Sequence, residues 1–140
     1  MCLIIRNNEI SNALYVANED IKCYKRFNIE RGKLYSAFRA FEYNLNKLYK
    51  EPKMIIPPQI VNGRYQFKPK LKYFYNPTKR AIASIERGFH SYSSLKVVNR
   101  RQCCNEKIFL CIIPKGSEFY YDNVDKEYCS NQIIIKKQIG

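Results

Sequence analysis

The feature that most constrains the fold of this chain is an unbroken run of apolar residues over 108–113, Ile-Phe-Leu-Cys-Ile-Ile. Lys107 precedes the run, and the turn sequence Pro114-Lys115-Gly116 ends it. A short apolar run bounded by turn signals is typical of a strand that is buried on both faces. We therefore predict a central strand here and expect the rest of the chain to be arranged around it.

A second strand is indicated by residues 20–30, where apolar and polar side chains alternate with the period of a half-buried strand. Lys25 breaks the pattern because it falls on the apolar face. A charge in that position needs a partner, a ligand or a stem long enough to carry the ammonium to water. The apolar face holds Ile21, Cys23, Phe27 and Ile29, and the polar face holds Lys22, Tyr24, Arg26 and Asn28.

Two stretches predict helices. Apolar residues recur at spacings of four and three through residues 34–48, which predicts an amphipathic helix over about 36–51. A shorter helix is expected over about 95–105, where one of the serines at 91, 93 and 94 can cap its first turn. The stripe of the first helix comprises Leu34, Phe38, Phe41, Leu45 and Leu48.

Short strands and turns account for most of the remaining chain. A hairpin is predicted around Asn62-Gly63, and further strands are predicted at 1–6, 88–92, 118–121, 127–130 and 132–136, with a hairpin tip at 122–126. The resulting fold class is α+β. We predict a single domain over residues 1–140, built as a mainly antiparallel sheet packed by one or two helices.

The chain is strongly basic, with 25 Lys and Arg against 12 Asp and Glu and a formal net charge of +13. Such a charge attracts phosphates, nucleotides and nucleic acid, so the expected partner is anionic. The abundance of Lys, Asn, Ile and Tyr also fits a base-composition bias, which would make part of the charge incidental.

We predict that the six cysteines are reduced thiols that do not form disulfides. No secretory leader precedes them, no run is long enough to span a bilayer, and Cys103-Cys104 is not a zinc-ligand spacing. We therefore expect a cytoplasmic protein that has no membrane partner, no metal and no cofactor. The oligomeric state stays open.

His90 is the only histidine, and it lies in the segment Gly88-Phe-His-Ser-Tyr-Ser-Ser94. In this segment Gly88 gives access to the backbone, His90 supplies an imidazole, and the serines supply hydroxyls. Such groups suit recognition of a ribose or phosphate as well as proton transfer. A structural hydrogen bond is the simpler alternative. A cysteine nucleophile would have to use His90, and no pattern selects its cysteine. The candidate ligand-binding residues are Tyr24, Lys25, Arg26, His90, Ser91 and Tyr92, with an aromatic from Tyr73 to Tyr75 as the alternative stacking group.

The chain resembles small accessory proteins of tailed phages. The resemblance implies a phage origin and an interaction or counter-defence role. It rests on the ordered motifs Cys23-Tyr24-Lys25, Asn46-Lys-Leu-Tyr-Lys50, Gly88-Phe-His-Ser91, Ile113-Pro-Lys-Gly116 and Tyr128-Cys-Ser-Asn131.

A weaker similarity is to the ADP-ribosyltransferase fold. It rests on Tyr24-Lys25, the segment Gly88-Phe89 with Ser91, and a late acid, Glu127 or Glu118. This resemblance implies that the basic or histidine position and the serine segment hold NAD, and that the late glutamate activates the acceptor. The chain departs from the family because it has neither a Ser-Thr-Ser triplet nor a Glu-x-Glu pair.

We expect a counter-defence protein that sequesters an anionic nucleotide-like small molecule, such as an ADP-ribose derivative or a cyclic nucleotide. One alternative is an ADP-ribosyltransferase-like or nucleotide-cleaving enzyme that uses His90 and Glu127. Nucleic-acid binding, carried by the overall charge, is another, and binding to a host protein stays open.

Overall fold

The computed structural model describes residues 14–36, 42–50, 88–100 and 106–140, together with the backbone of short strands outside those ranges. One helix and fifteen strands are assigned within these residues. In chain order the elements are β1 (Leu3–Ile5), β2 (Tyr15–Val16), β3 (Ile21–Glu30), β4 (Lys33–Ser36), β5 (Glu42–Tyr43), β6 (Leu48–Lys50), β7 (Gln59–Val61), β8 (Arg64–Gln66), β9 (Leu71–Tyr73), β10 (Ala83–Ile85), β11 (Phe89–Tyr92), α1 (Leu95–Arg100), β12 (Glu106–Ile113), β13 (Glu118–Asp122), β14 (Glu127–Ser130) and β15 (Gln132–Gln138).

Ten strands form one antiparallel sheet, the central sheet, in the order β2-β13-β14-β11-β3-β12-β15-β6, with β4 on β3 and β5 on β4. β12 lies between β3 and β15 and pairs with β3 along its whole length. Its side chains are buried on both faces, as Ile108 and Phe109 illustrate. The predictions of a central strand and of a mainly antiparallel sheet are confirmed, whereas the described residues add only one short helix to the sheet.

The helix predicted over about 36–51 is wrong. Arg31 and Gly32 have φ angles of 50° and 76°, and this turn folds β4 back against β3. β5 and β6 follow as strands, so the region alternates in the strand period, while residues 37–41 lie outside the described part of the chain. Sheet pairing therefore overrides the helical spacing. Tyr43 and Tyr49 are buried, but Leu45 and Leu48 of the predicted stripe are exposed.

Several local predictions are confirmed. β7 and β8 pair as the hairpin expected around residues 62–63. β11 leads into α1, whose first turn is capped by Ser94: its Oγ accepts the Val97 N–H at 3.4 Å. The predicted extension of this helix to residue 105 lies outside the described residues. The C-terminal strands and the turn at 123–126 lie where they were expected.

The two faces of the central sheet differ in chemistry. The apolar face packs the main hydrophobic cluster, and its burial stabilises the fold by about 1.5 to 3 kcal/mol for each large side chain. The polar face packs α1 through Val98 and also carries buried charged groups. The apolar face includes Cys23, Phe27, Phe109, Cys111, Ile113, Ile133 and Ile135. The polar face includes Tyr24, Arg26, His90, Tyr92, Glu106, Ile108, Tyr120, Asp122, Glu127 and Cys129.

Candidate functional sites on the two faces of the sheet

The six candidate ligand-binding residues are divided between the two faces. They lie on β3 and β11, and successive side chains of a strand point to opposite faces. Several of the candidates are consecutive in the sequence. A pocket on one face of the sheet, however, cannot be lined by the side chains of two consecutive strand residues. Tyr24, Arg26, His90 and Tyr92 lie on the polar face, and Lys25 and Ser91 lie on the apolar face.

Lys25 lies at the point where β3 and β11 separate. The two strands pair at Tyr92 and Tyr24, and the Lys25 ammonium donates a hydrogen bond of 2.7 Å to the His90 carbonyl. Among the described residues, no carboxylate lies within ion-pair distance of this ammonium. Burial lowers its pKa, and the charge of Glu127 acts on it only from longer range. The cation is therefore held by the sheet without a neutralising partner in the described part of the chain.

The nearest sulfur atoms do not supply the missing negative charge. Burial raises the pKa of the Cys23 thiol to about 12. Burial also raises the pKa of Cys111 well above its usual range. Both thiols are therefore neutral near pH 7. We call Lys25, Cys23, Ser91 and Tyr128 the Lys25 cluster, since Tyr128 lies directly across from Ser91.

A row of aromatic rings continues from the Lys25 cluster across β14, β13 and β2. The ring centroids are 4.8 Å apart for Tyr121 and Tyr128, 5.6 Å for Phe119 and Tyr128, and 5.5 Å for the stacked pair Tyr15 and Phe119. These rings are partly exposed. The sequence reasoning missed this row, although the alternation of Phe119 and Tyr121 along a strand was a visible signal.

On the polar face, His90 bridges an acid and a thiol. Its Nδ1 lies 3.2 Å from Glu127 Oε1, and its Nε2 lies 3.9 Å from the Cys129 sulfur. His90 and Cys129 are direct cross-strand neighbours of β11 and β14, and Glu127 is two residues before Cys129. Glu127 is therefore the late acid that contacts His90. Glu118, the first residue of β13, instead pairs with Val16 of β2.

The remaining candidates on the polar face are engaged inside the protein. Arg26 forms an ion pair of 3.3 Å with Glu106 and lies 5.9 Å from the centre of the Tyr92 ring. Tyr24 and Tyr92 pack with Ile108 and with Val98 of α1. These contacts do not leave an open aromatic face for stacking at Tyr92, which is buried.

The alternative stacking group, an aromatic from residues 73–75, is not placed by the structure. Tyr73 is described only as backbone, at the end of β9. Phe74 and Tyr75 lie outside the described residues. This alternative therefore stays a prediction.

The described residues contain neither a cluster of metal-ligating side chains nor a helix that could span a membrane. No group of three or more His, Cys, Asp or Glu side chains within the described residues is arranged to hold a metal ion. The two nitrogens of His90 face different partners and so could not bind one ion with both of them. Across the described part of the chain, no helix combines the length and apolar character that crossing a bilayer requires.

No family model, curated protein or solved structure matches the chain.

Proposed function

We propose that the chain binds an anionic, nucleotide-like small molecule at the Lys25 cluster and sequesters it. The observation that carries the proposal is the partly buried Lys25 ammonium, which has no carboxylate within ion-pair distance among the described residues. A desolvated cation without a counter-charge is costly, and an anion bound beside it removes that cost. A phosphate is such an anion.

The aromatic row beside Lys25 supports a nucleotide over a simple phosphate. Tyr128 is a direct cross-strand neighbour of Ser91 and begins the row of partly exposed rings. Stacking of a base on one ring contributes about 1 to 3 kcal/mol, and a hydrogen bond from a charged donor to phosphate contributes about 1.5 to 3 kcal/mol. The Ser91 hydroxyl lies on the same face and is fully buried, and its oxygen has no hydrogen-bond partner within the described residues, so it would contact a phosphate or ribose oxygen only if the ligand enters the sheet surface beside Lys25.

The biological role follows from the resemblance to tailed-phage accessory proteins. A binding protein that captures a nucleotide signal in the host cytosol would withhold it from a host defence system. The net charge of +13 would speed the capture of an anion by long-range attraction. An ADP-ribose derivative or a cyclic nucleotide carries both groups that the Lys25 cluster suits, a phosphate and a base.

Calorimetry with ADP-ribose, cyclic mononucleotides and cyclic dinucleotides tests the proposal. We expect one member to bind the wild type and Lys25→Met to weaken that binding about 10- to 100-fold, because one charge-assisted contact is lost. Lys22→Met is the matched control, since Lys22 is an exposed lysine of the same strand. No heat with any member, or equal losses in the two variants, would refute binding at Lys25.

A second candidate function is cleavage of a nucleotide, and the 3.2 Å contact between His90 and Glu127 favours it. A carboxylate that orients an imidazole is the arrangement of a general base. Incubation with NAD and with a cyclic dinucleotide should then yield product, and Glu127→Gln should abolish it. Tight binding with unchanged ligand after long incubation separates sequestration from cleavage.

A further inference from the structure

We propose that Cys129 is a nucleophile that His90 activates and Glu127 positions, forming a site for small acyl groups on the polar face. We call these three residues the Cys129 relay. The relay and Lys25 lie on opposite faces of the sheet, although the charge of Lys25 acts on Glu127 and Cys129. The proposal answers the question that the sequence left open, namely which cysteine the only histidine serves.

The relay is assembled by strand pairing. The register of β11 with β14 sets His90 directly across from Cys129 and Tyr92 across from Glu127. Glu127 and Cys129 are two residues apart on one strand, so both point to the face of His90. The order of contacts is thiol to imidazole at 3.9 Å and imidazole to carboxylate at 3.2 Å. A nucleophile, its base and a group that orients the base are the three parts of such a site.

The contacts assign a role to each ring nitrogen. A carboxylate accepts hydrogen bonds, so Nδ1–H of His90 donates to Glu127 Oε1. In the tautomer that carries its proton on Nδ1, the Nε2 lone pair faces the Cys129 thiol. Transfer of the thiol proton to Nε2 leaves a thiolate beside an imidazolium, and Glu127 stabilises that imidazolium. Glu127 is thus a positioning residue that acts through His90.

The other two described buried thiols lack this arrangement. Burial raises the pKa of Cys23 to about 12 and raises that of Cys111 well above its usual range, and each lies on the apolar face. Since the thiolate is the reactive form of cysteine, both should be inert near pH 7. Cys129 is the described cysteine with an imidazole in hydrogen-bonding range.

The groups around the relay are polar or charged, and the Lys25 charge acts on Glu127 and Cys129 from the other face of the sheet. Tyr120 lies across from Cys129, and burial raises the pKa of its hydroxyl, so the ring stays neutral. Asp122 lies across from Glu127 and accepts the Val124 N–H at 3.2 Å in the turn that follows β13. Arg26, the nearest strand cation on this face, is engaged by Glu106.

Access favours small acyl groups. The Cys129 residue is fully buried, whereas 12% of the His90 side chain is exposed. Because the sulfur is buried, acylation requires a local opening beside the partly exposed imidazole, and this limits the substrate to a small acyl group. The thiolate adds to the carbonyl carbon of an ester, the carbon–oxygen bond breaks, and the leaving alkoxide takes the proton from the imidazolium. Water then attacks the thioester as His90 takes its proton, releasing the carboxylic acid and restoring the thiol.

Acylation by p-nitrophenyl acetate tests the proposal. The starting protein for this test is the variant Cys2→Ser, Cys103→Ser, Cys104→Ser. It keeps only the three described cysteines. We expect release of p-nitrophenolate together with one acetyl group, located on Cys129 by peptide mapping. His90→Gln should slow acylation about 10²- to 10⁴-fold, the range of a lost general base. Lys22→Met, an exposed change on β3, should leave the rate unchanged.

A pH profile separates activation from simple exposure of the sulfur. In the starting protein, acylation should persist well below the ordinary thiol pKa of about 8.5, and in His90→Gln it should rise only through that range. Glu127→Gln should move the profile toward that of His90→Gln if Glu127 acts through the imidazole.

Acetyl groups spread over Cys23 and Cys111, no acetyl group on Cys129, or an unchanged rate in His90→Gln would each overturn the proposal. Circular dichroism establishes that each variant is folded. If His90→Gln does not fold, the peptide map and the pH profile of the starting protein still decide. A failed acylation leaves nucleotide binding at Lys25 untouched, so the two proposals fail separately.

Discussion

The two faces of the central sheet treat charge in opposite ways at neighbouring residues. On the polar face, Arg26 meets Glu106 and His90 meets Glu127, so both of these groups have an acid beside them. On the apolar face, Lys25 has a backbone carbonyl, and within the described residues no acid lies within ion-pair distance. The comparison teaches that Arg26 and His90 are paired within the protein, whereas Lys25 has no acid at that distance among the described residues, and the proposed anion site depends on this difference.

The largest effect should come from the apolar face itself. Phe27 is fully buried and packs edge to face against Tyr43 and Phe109. Phe27→Ala should lower the free energy of unfolding by about 3 to 5 kcal/mol, because it leaves a cavity in a close-packed region. Urea denaturation measures the change. A loss below about 1 kcal/mol would mean that the two faces differ less in packing than the described contacts indicate.

The ion pair of the polar face should give the next largest effect. Glu106→Ala leaves the Arg26 guanidinium buried without its acid, at a cost of about 3 kcal/mol. The double variant Arg26→Met, Glu106→Leu should be more stable than Glu106→Ala alone, since no charge is then left unpaired. Thermal and urea unfolding of the single and double variants give the coupling. Additive losses would contradict mutual satisfaction of the pair.

A pH titration of stability sharpens the contrast at Lys25. Its pKa in the folded state is lowered, so between the folded and unfolded values the unfolded chain binds the extra proton. The contribution of Lys25 to stability should therefore rise as the pH rises from its folded pKa towards the ordinary lysine value. The difference between wild type and Lys25→Met isolates this contribution, with Lys22→Met as the control. If this difference in the free energy of unfolding fell as the pH rose, it would contradict a lowered pKa of Lys25 in the folded state.

Anion binding should show the reverse dependence. A bound phosphate needs the charged ammonium, so affinity should weaken as the pH rises through the folded pKa of Lys25. The groups that act on this ammonium are Cys111, Cys23, Glu127 and Cys129. Calorimetry of the identified nucleotide over a pH series, with Lys25→Met alongside, measures the trend.

The smallest effect should come from a charge pair outside both faces. Lys33 and Glu42 lie 3.8 Å apart, and their side chains are 58% and 44% exposed. Solvent screens such a pair, so Lys33→Ala should change stability by less than about 1 kcal/mol. Urea denaturation in low and high salt checks it. A larger loss would show that an exposed ion pair can stabilise this protein as much as a buried one.

The sequence predicted the strands whose side-chain pattern is local. β3 and β12 follow from alternation and from the apolar run, and Lys25 was placed correctly on the apolar face. The helix over about 36–51 failed because the turn at Gly32 returns the chain to β3 as a strand. β6 then pairs with β15 near the C-terminus, and a local spacing of apolar residues does not contain such a long-range pairing.

The candidate sites were also predicted only in part, because they too depend on contacts between residues that are distant in the sequence. His90, Lys25 and Glu127 were named from residue type, but which of them meet depends on strand register. Cys129 was not selected, since only the pairing of β11 with β14 sets it across from His90. The neighbours of Lys25 likewise come from β11 and β14, which lie far along the chain from β3.

Tyr128 and Cys129 are consecutive residues of β14, so one short strand supplies a ring to one face and a sulfur to the other. A shift of the β14 register by one residue relative to β11 would invert both assignments at once: the phenol would turn toward the imidazole and the sulfur toward the lysine. The register of this one strand is thus a constraint common to both proposed sites.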